Sequence, residues 1–168
     1  MDAMPPVDKV VSWRRVDWAT VAVIAVLAAS VSGQIATSGN LAPWYAQLTK
    51  PSFNPPDWIF APVWSALYLL MAFAIWRIVK LPPSPARSVA IVLFCMQLAL
   101  NAAWSWMFFA AHSPWLGLVD VVPQCLLIVA TIIAVSRLDR IATLALLPLA
   151  AWVGYATVLN YFIWRLNG

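Results

Sequence analysis

Gln97 and Asn101 stand one helical turn apart, and Trp104, Ser105 and Phe108 continue the same face, so one side of a helix would offer two amides, a hydroxyl and two rings. An amide left without a partner in hydrocarbon is expensive, so these groups should point inward, bonding either a neighbouring helix or a ligand. Trp64, Tyr68 and Met71 form a second stripe, and Trp152, Tyr155, Ala156, Leu159 and Asn160 a third. Rings at this spacing pack cores as readily as they grip ligands. Flat rings from two helices, converging on an amide from a third, would make a pocket for a flat apolar molecule.

Between two long apolar runs, ending at the first residue of the Trp64 stripe, lies L-A-P-W-Y-A-Q-L-T-K-P-S-F-N-P-P-D-W-I-F-A-P-V-W, from Leu41 to Trp64. Pro43, Pro51, Pro55 and Pro56 forbid a continuous helix there. Trp44, Tyr45, Phe53, Trp58 and Phe60 would expose much apolar area unless they pack on something. Residues 39–56 therefore read as a stiff lid over a pocket. Asn54, Pro55 and Asp57 look like cap, first position and first-turn acid of the next helix, and Pro62 should bend that helix.

Other reactive groups are sparse. Asp120 is the single acid inside an apolar run; it is either near enough to the outer interface to be solvated or paired with a tryptophan N–H, or functional. No base accompanies it within the runs, so a proton or ion relay lacks half its parts. His112, the single histidine, reads as a solvated loop residue against the alternative of a haem axial ligand. Cys95 and Cys125 lie in apolar runs and read as small buried hydrophobes without a disulfide framework. The chain has no Glu, no clustered His and Cys, no G-x-S-x-G and no phosphate-binding glycine loop. Hydrolytic, metal-dependent and nucleotide chemistry are thereby disfavoured.

The elements that must position these groups follow from composition. Of 168 residues 64% are apolar and 10% charged, with mean hydropathy +0.85, against about a quarter charged in ordinary soluble domains. Apolar runs of near membrane-spanning length recur at 18–38, 57–76, 88–110, 114–136 and 141–164, each about long enough to cross the hydrocarbon core. The expectation is an all-α polytopic membrane protein, a single bundle of five transmembrane helices over residues 1–168. Lys9, Arg14, Arg15, Arg77, Lys80, Arg87, Arg137 and Arg140 fall on one side; Lys50 and Arg165 fall on the other. The positive-inside rule puts the amino terminus and the second and fourth loops in the cytoplasm. The net charge of +4 thus reflects topology and calls for no nucleic-acid partner.

A cleavable signal peptide is the rival reading of the first run, since small residues occur at Ser30-Val31-Ser32. Against it, the run continues through Ile35 and Ala36, and Trp13 and Trp18 sit where interfacial anchors belong. Ala25, Ala29 and Gly33, and likewise Ala150 and Gly154, recur at four-residue spacing. Such stripes serve either close packing within a bundle or a dimer face.

W-Y-A-Q-L-T-K-P-S-F-N-P-P from Trp44 to Pro56, F-A-P-V-W-S-A-L-Y from Phe60 to Tyr68, Q-L-A-L-N-A-A-W from Gln97 to Trp104 and A-T-V-L-N-Y-F-I-W-R from Ala156 to Arg165 resemble, in order and spacing, the TspO family. This is the tryptophan-rich sensory or translocator protein family, also called the peripheral-type benzodiazepine receptor family. The resemblance covers nearly the whole chain. It implies a five-helix bundle in a lipid bilayer, often a homodimer, that binds porphyrins and, in some members, sterols and benzodiazepine-type drugs beneath the first loop. No obligatory cofactor is implied; porphyrin or haem enters as ligand.

Carried over residue by residue, the implied pocket comprises Tyr45, Pro55, Trp64, Tyr68, Asn101, Trp104, Ser105, Trp152 and Ala156. Trp64 and Trp152 match positions linked with light-driven porphyrin breakdown in some bacterial members, which makes them the catalytic candidates if the protein is an enzyme. Phe53 stands where many relatives carry Trp. The family's sterol-recognition pattern is met by Val158, Tyr161 and Arg165, a permissive pattern whose Arg165 is also expected as an interfacial anchor. Three functional classes remain open: a porphyrin-binding receptor or sensor, a photo-oxidative enzyme needing no acid–base pair, and a translocator. Five spans do not divide into two equal inverted halves, which disfavours classical alternating access.

Overall fold

The computed structural model describes residues 17–41 and 44–168; Lys9, Trp13, Arg14, Arg15 and Pro43, used above, lie outside them. Those residues form five long helices, α1 (Trp18–Ser38), α2 (Phe60–Lys80), α3 (Pro85–Ser105), α4 (Pro114–Ser136) and α5 (Arg140–Asn167), and no strand. All five are long and apolar enough to cross a membrane, so the chain is an all-α, multi-pass membrane protein. The second and fifth runs extend past their sequence bounds at Trp76 and Trp164, and the third begins earlier, at Pro85. Hydropathy ends a span at the first charge, whereas a helix continues while long basic side chains such as Arg77 and Lys80 reach back to water.

Local chemistry sets the helix starts. Asp17 caps α1 through a bond from the Ala19 N–H. Ser84 and Ser113 cap α3 and α4, each followed by a proline at the first helical position, where the missing N–H is harmless. Asp139 caps α5, its Oδ1 accepting from the N–H groups of Ile141 and Ala142 at 2.8 and 2.9 Å. The expected start at Asn54 is not used. Instead Asp57–Ile59 makes a 3₁₀ turn after Pro56, and α2 opens at Phe60. Pro62 consequently falls in the first turn of α2, where its N–H is unneeded, and the expected bend has no cause.

The helices pack in the cyclic order α1, α2, α5, α4, α3, around a core that includes Met71, Ile75, Phe94, Ile128 and Leu149. On the outside, apolar side chains such as Leu69, Leu126 and Leu144 remain exposed, as a lipid-facing surface requires. Of the small stripe on α1, Ala29 and Gly33 are buried while Ala25 is exposed. A Cβ on Gly33 would sit 3.2 Å from Ser105 Oγ, so these residues serve close packing of α1 on α3. Cys125 is half-buried, but Cys95 is exposed on the lipid-facing side of α3, contrary to the expectation of burial for both.

Arg77 near the end of α2 binds the Asp139 cap, with Nε and Nη2 donating to Oδ2 at 2.9 and 2.8 Å. The guanidinium bond, with the two backbone N–H groups, holds the Asp139 carboxyl below the usual carboxylate range. A lowered folded-state value means that this stabilisation is present above the unfolded value near ~3.9 and is lost as pH falls through the folded one. Asp139→Ala should therefore lower unfolding free energy by about 1–2 kcal/mol at pH 7. The deficit should shrink as pH falls below the ordinary carboxylate range and Asp139 protonates; a deficit independent of pH in detergent unfolding titrations would contradict the assignment.

Candidate functional site

The spacing of aromatic positions on α2, α3 and α5 leaves a cavity of about 290 Å³ at the lid end of the bundle. Trp64 and Tyr68 of α2 enter it, with ring centroids 5.7 Å apart. Asn101, Trp104 and Ser105 line it from α3, Trp152 and Ala156 from α5, and Tyr45 from the lid. Pro55 is not among the lining residues; it lies half-buried in the lid, its carbonyl accepting from Asn54 Nδ2. Thus rings and an amide from three helices do meet, as the stripes required.

The polar groups are few and aimed. Tyr68 Oη donates to Asn101 Oδ1 at 2.6 Å, which fixes the amide and leaves the buried Asn101 Nδ2 without a partner. That N–H₂ is a free donor at the cavity wall, suited to an acceptor on a ligand. Trp104 stacks on Phe108 at 5.0 Å and 18°, and its Nε1 donates to Asn160 Oδ1 at 3.1 Å. Asn160 Nδ2 in turn donates to the Pro114 carbonyl at 2.7 Å, joining α3, α4 and α5 through one side chain.

The lid is folded down rather than loose. Tyr45 Oη donates to Asn54 Oδ1 at 2.9 Å, and the Lys50 ammonium stands 4.3 Å above the Tyr45 ring. Burial raises the Tyr45 hydroxyl pKa, so Tyr45 remains a donor. Asn54 therefore braces the lid instead of capping α2. Asn167 clasps Thr49 twice, accepting from its N–H and donating to its carbonyl, both at 2.9 Å. Tyr155 Oη donates to the Phe53 carbonyl at 2.8 Å, and the Phe53 ring packs on Phe162 at 5.4 Å. The phenyl ring thus holds its place in the lid without an indole.

His112 is exposed but not merely solvated: its ring stacks on Trp44 at 5.0 Å, its Nε2 bonds Asn40 Oδ1 at 2.8 Å, and its φ is 52°. It does not line the cavity. Asp120 departs further from expectation, being only 3% exposed with neither carboxylate oxygen bonded. Among the described residues no tryptophan N–H bonds it; that of Trp104 goes to Asn160 and that of Trp106 to Ser32. Among the described residues no His, Cys, Asp or Glu group is arranged to hold a metal ion.

Sequence stripes missed one wall. Ser30, Gly33, Gln34 and Thr37 of α1 also line the cavity, and their spacing of three and four residues was a legible polar face. Phe108 and Asn160 line it too, from stripes noted above but not assigned to the pocket. Trp106–Ala110 forms a π turn that no sequence pattern announced; it buries Phe108 and Phe109 together beneath Trp44. Val158, Tyr161 and Arg165 are exposed on the outer face of α5, whereas Leu159, Asn160 and Ile163 of the same turns line the cavity. Any sterol contact through that pattern would thus lie on the lipid side, apart from the pocket.

Known proteins share this arrangement in sequence. The TspO/MBR family profile matches residues 19–165. The tryptophan-rich protein TspO of Chlorobaculum tepidum is 40% identical over 142 residues, 84% of this chain and 90% of that protein. The translocator protein of Sus scrofa is 40% identical over 126 residues, 74% and 75% of the two chains. The tryptophan-rich sensory protein of Cereibacter sphaeroides is 36% identical over 156 residues, 91% and 94% of the two. With the family profile spanning nearly all five helices and relatives matched along most of their own length, the chain belongs to the TspO/MBR family.

Proposed function

We propose that the protein is a membrane receptor or sensor for porphyrins and similar flat hydrophobic ligands, bound in the cavity beneath the lid, and that it regulates tetrapyrrole handling. Sterols and benzodiazepine-type drugs are further members of the same ligand class. The observation that carries this reading is the meeting of Trp64, Tyr68, Trp104 and Trp152 around one cavity in whose wall the Asn101 Nδ2 is a buried, unpartnered donor. Stacking and apolar burial supply affinity, while the amide orients the ligand. The basic loops lie in the cytoplasm and the lid on the opposite side of the membrane, and the working unit is a homodimer.

Light-driven porphyrin oxidation is the second reading. It is favoured by Trp64 and Trp152 both lining the cavity: dissolved dioxygen, the oxidant this reading requires, is reduced as the excited macrocycle is oxidised, and the neighbouring indoles relay the electron without any acid–base pair. Protoporphyrin titrated into purified protein should bind Trp64→Ala and Trp152→Ala at least about tenfold more weakly than wild type. Equal affinities would refute the pocket. Illuminating the complex separates the two readings: new absorption bands that disappear in both variants identify an enzyme, and an unchanged porphyrin spectrum identifies a receptor.

A further inference from the structure

The wall of the cavity is uneven. Its residues from α3 and α5 are buried or half-buried, whereas Gln34 and Ser38 of α1, Asp57 before α2, and Ala61 and Ser65 of α2 also reach the outside of the bundle. The cavity therefore opens sideways, between the lid-side halves of α1 and α2. Four of those five residues are polar, next to an outward α1 surface of Ile24, Leu27, Val31 and Ile35. Polar side chains on a bilayer-facing surface are unfavourable unless they meet water, headgroups or a ligand.

Among the described residues no hydrogen bond ties this gap shut. Gln34 Nε2 donates to Ser30 Oγ on its own helix, and Ser65 Oγ to the Ala61 carbonyl on its own. Among the described residues, the one hydrogen bond joining α2 to the α1 cap is Lys80 to Asp17 at the opposite end. The lid, by contrast, is held by the Tyr45–Asn54, Thr49–Asn167 and Phe53–Tyr155 bonds and, where it leaves α1, by Asn40 to His112. Entry beneath the lid would break several of these.

Resting on the binding reading above, we propose that the site is loaded from the bilayer: a membrane-dissolved flat amphiphile slides edge-on between α1 and α2. It comes to rest with its apolar edge among Trp64, Tyr68 and Trp152 and its polar edge at the Gln34, Ser38 and Ser65 rim, at headgroup level. The rim thereby selects ligands that partition into lipid and keep one hydrogen-bonding edge. The lid acts as a fixed roof.

The test follows exchange of protoporphyrin by tryptophan quenching, with the protein in lipid nanodiscs and the porphyrin delivered in vesicles of the same lipid. Ala61→Trp and Ser65→Trp place bulk on the exposed rim, and thermal midpoints check that both fold. Association and dissociation should slow together by at least about fivefold in each, while Asn167→Ala, which removes the Thr49 clasp of the lid to α5, should leave both rates within about twofold of wild type. Gln34→Leu, which keeps bulk but removes the amide, should speed dissociation about threefold. Wild-type exchange in both rim variants, or faster exchange in Asn167→Ala, would overturn the route. Should Trp152→Ala bind as tightly as wild type, the pocket itself would fall; weakened binding there with unaltered rim kinetics would remove the route alone.

Discussion

Gly117→Ala should lower the unfolding free energy by about 2–3 kcal/mol, a large effect for one methyl group. A Cβ at Gly117 would stand 2.8 Å from both Asn160 Oδ1 and Phe108 Cδ2, and 3.1 Å from Phe108 Cβ. None of these atoms can yield easily. Phe108 is 2% exposed and stacked against Trp104, and Asn160 is bonded at both ends of its amide. The new methyl must therefore push α4 away from α3 and α5 at the level of the pocket, which should weaken ligand binding as well. Gly154→Ala is the matching control, because a Cβ there meets nothing within 4 Å. It should be neutral or stabilising by up to about 1 kcal/mol, since alanine is the better helix former. Unfolding titrations in mixed micelles read both changes, and equal effects at the two glycines would contradict the packing described.

Asn160→Leu, close to isosteric, should cost about 2–3 kcal/mol. The loss comes less from the two bonds themselves than from the groups left behind, the Trp104 N–H and the Pro114 carbonyl, which lose a partner inside the bundle. Truncating the donor as well, in Trp104→Phe with Asn160→Leu, should recover about 1 kcal/mol relative to the sum of the single variants. Strictly additive losses in thermal unfolding would show that the indole and the amide do not depend on each other. Trp104 and Asn160 both line the cavity, so this pair also holds the stacked Trp104–Phe108 wall in place.

Much of the architecture was legible. Apolar runs separated by short polar loops define five helices whatever their order in space, because the lack of water in hydrocarbon forces every run to satisfy its backbone internally. The stripes Trp64/Tyr68 and Gln97/Asn101/Trp104 were readable for the same reason: a helix of known pitch places residues three and four apart on one face. Helix starts were less secure. Asn54, Pro55 and Asp57 have the types of a cap, yet Asn54 is engaged by Tyr45, a partner that local spacing does not reveal.

Taken alone, the amino-acid order determined the element type, the number of spans and the residues able to face inward, since each depends on free-energy differences that sum along the chain. The tertiary structure alone decided which inward faces meet. Trp104 and Asn160 are separated by 56 positions in sequence, Tyr68 and Asn101 by 33. Their contact depends on the rotation of each helix about its axis and on the cyclic order of packing. The π turn beneath Trp44 and the buried, unbonded Asp120 follow from the same cause: side-chain environments are set by neighbours across the bundle, and hydropathy averages those directions away.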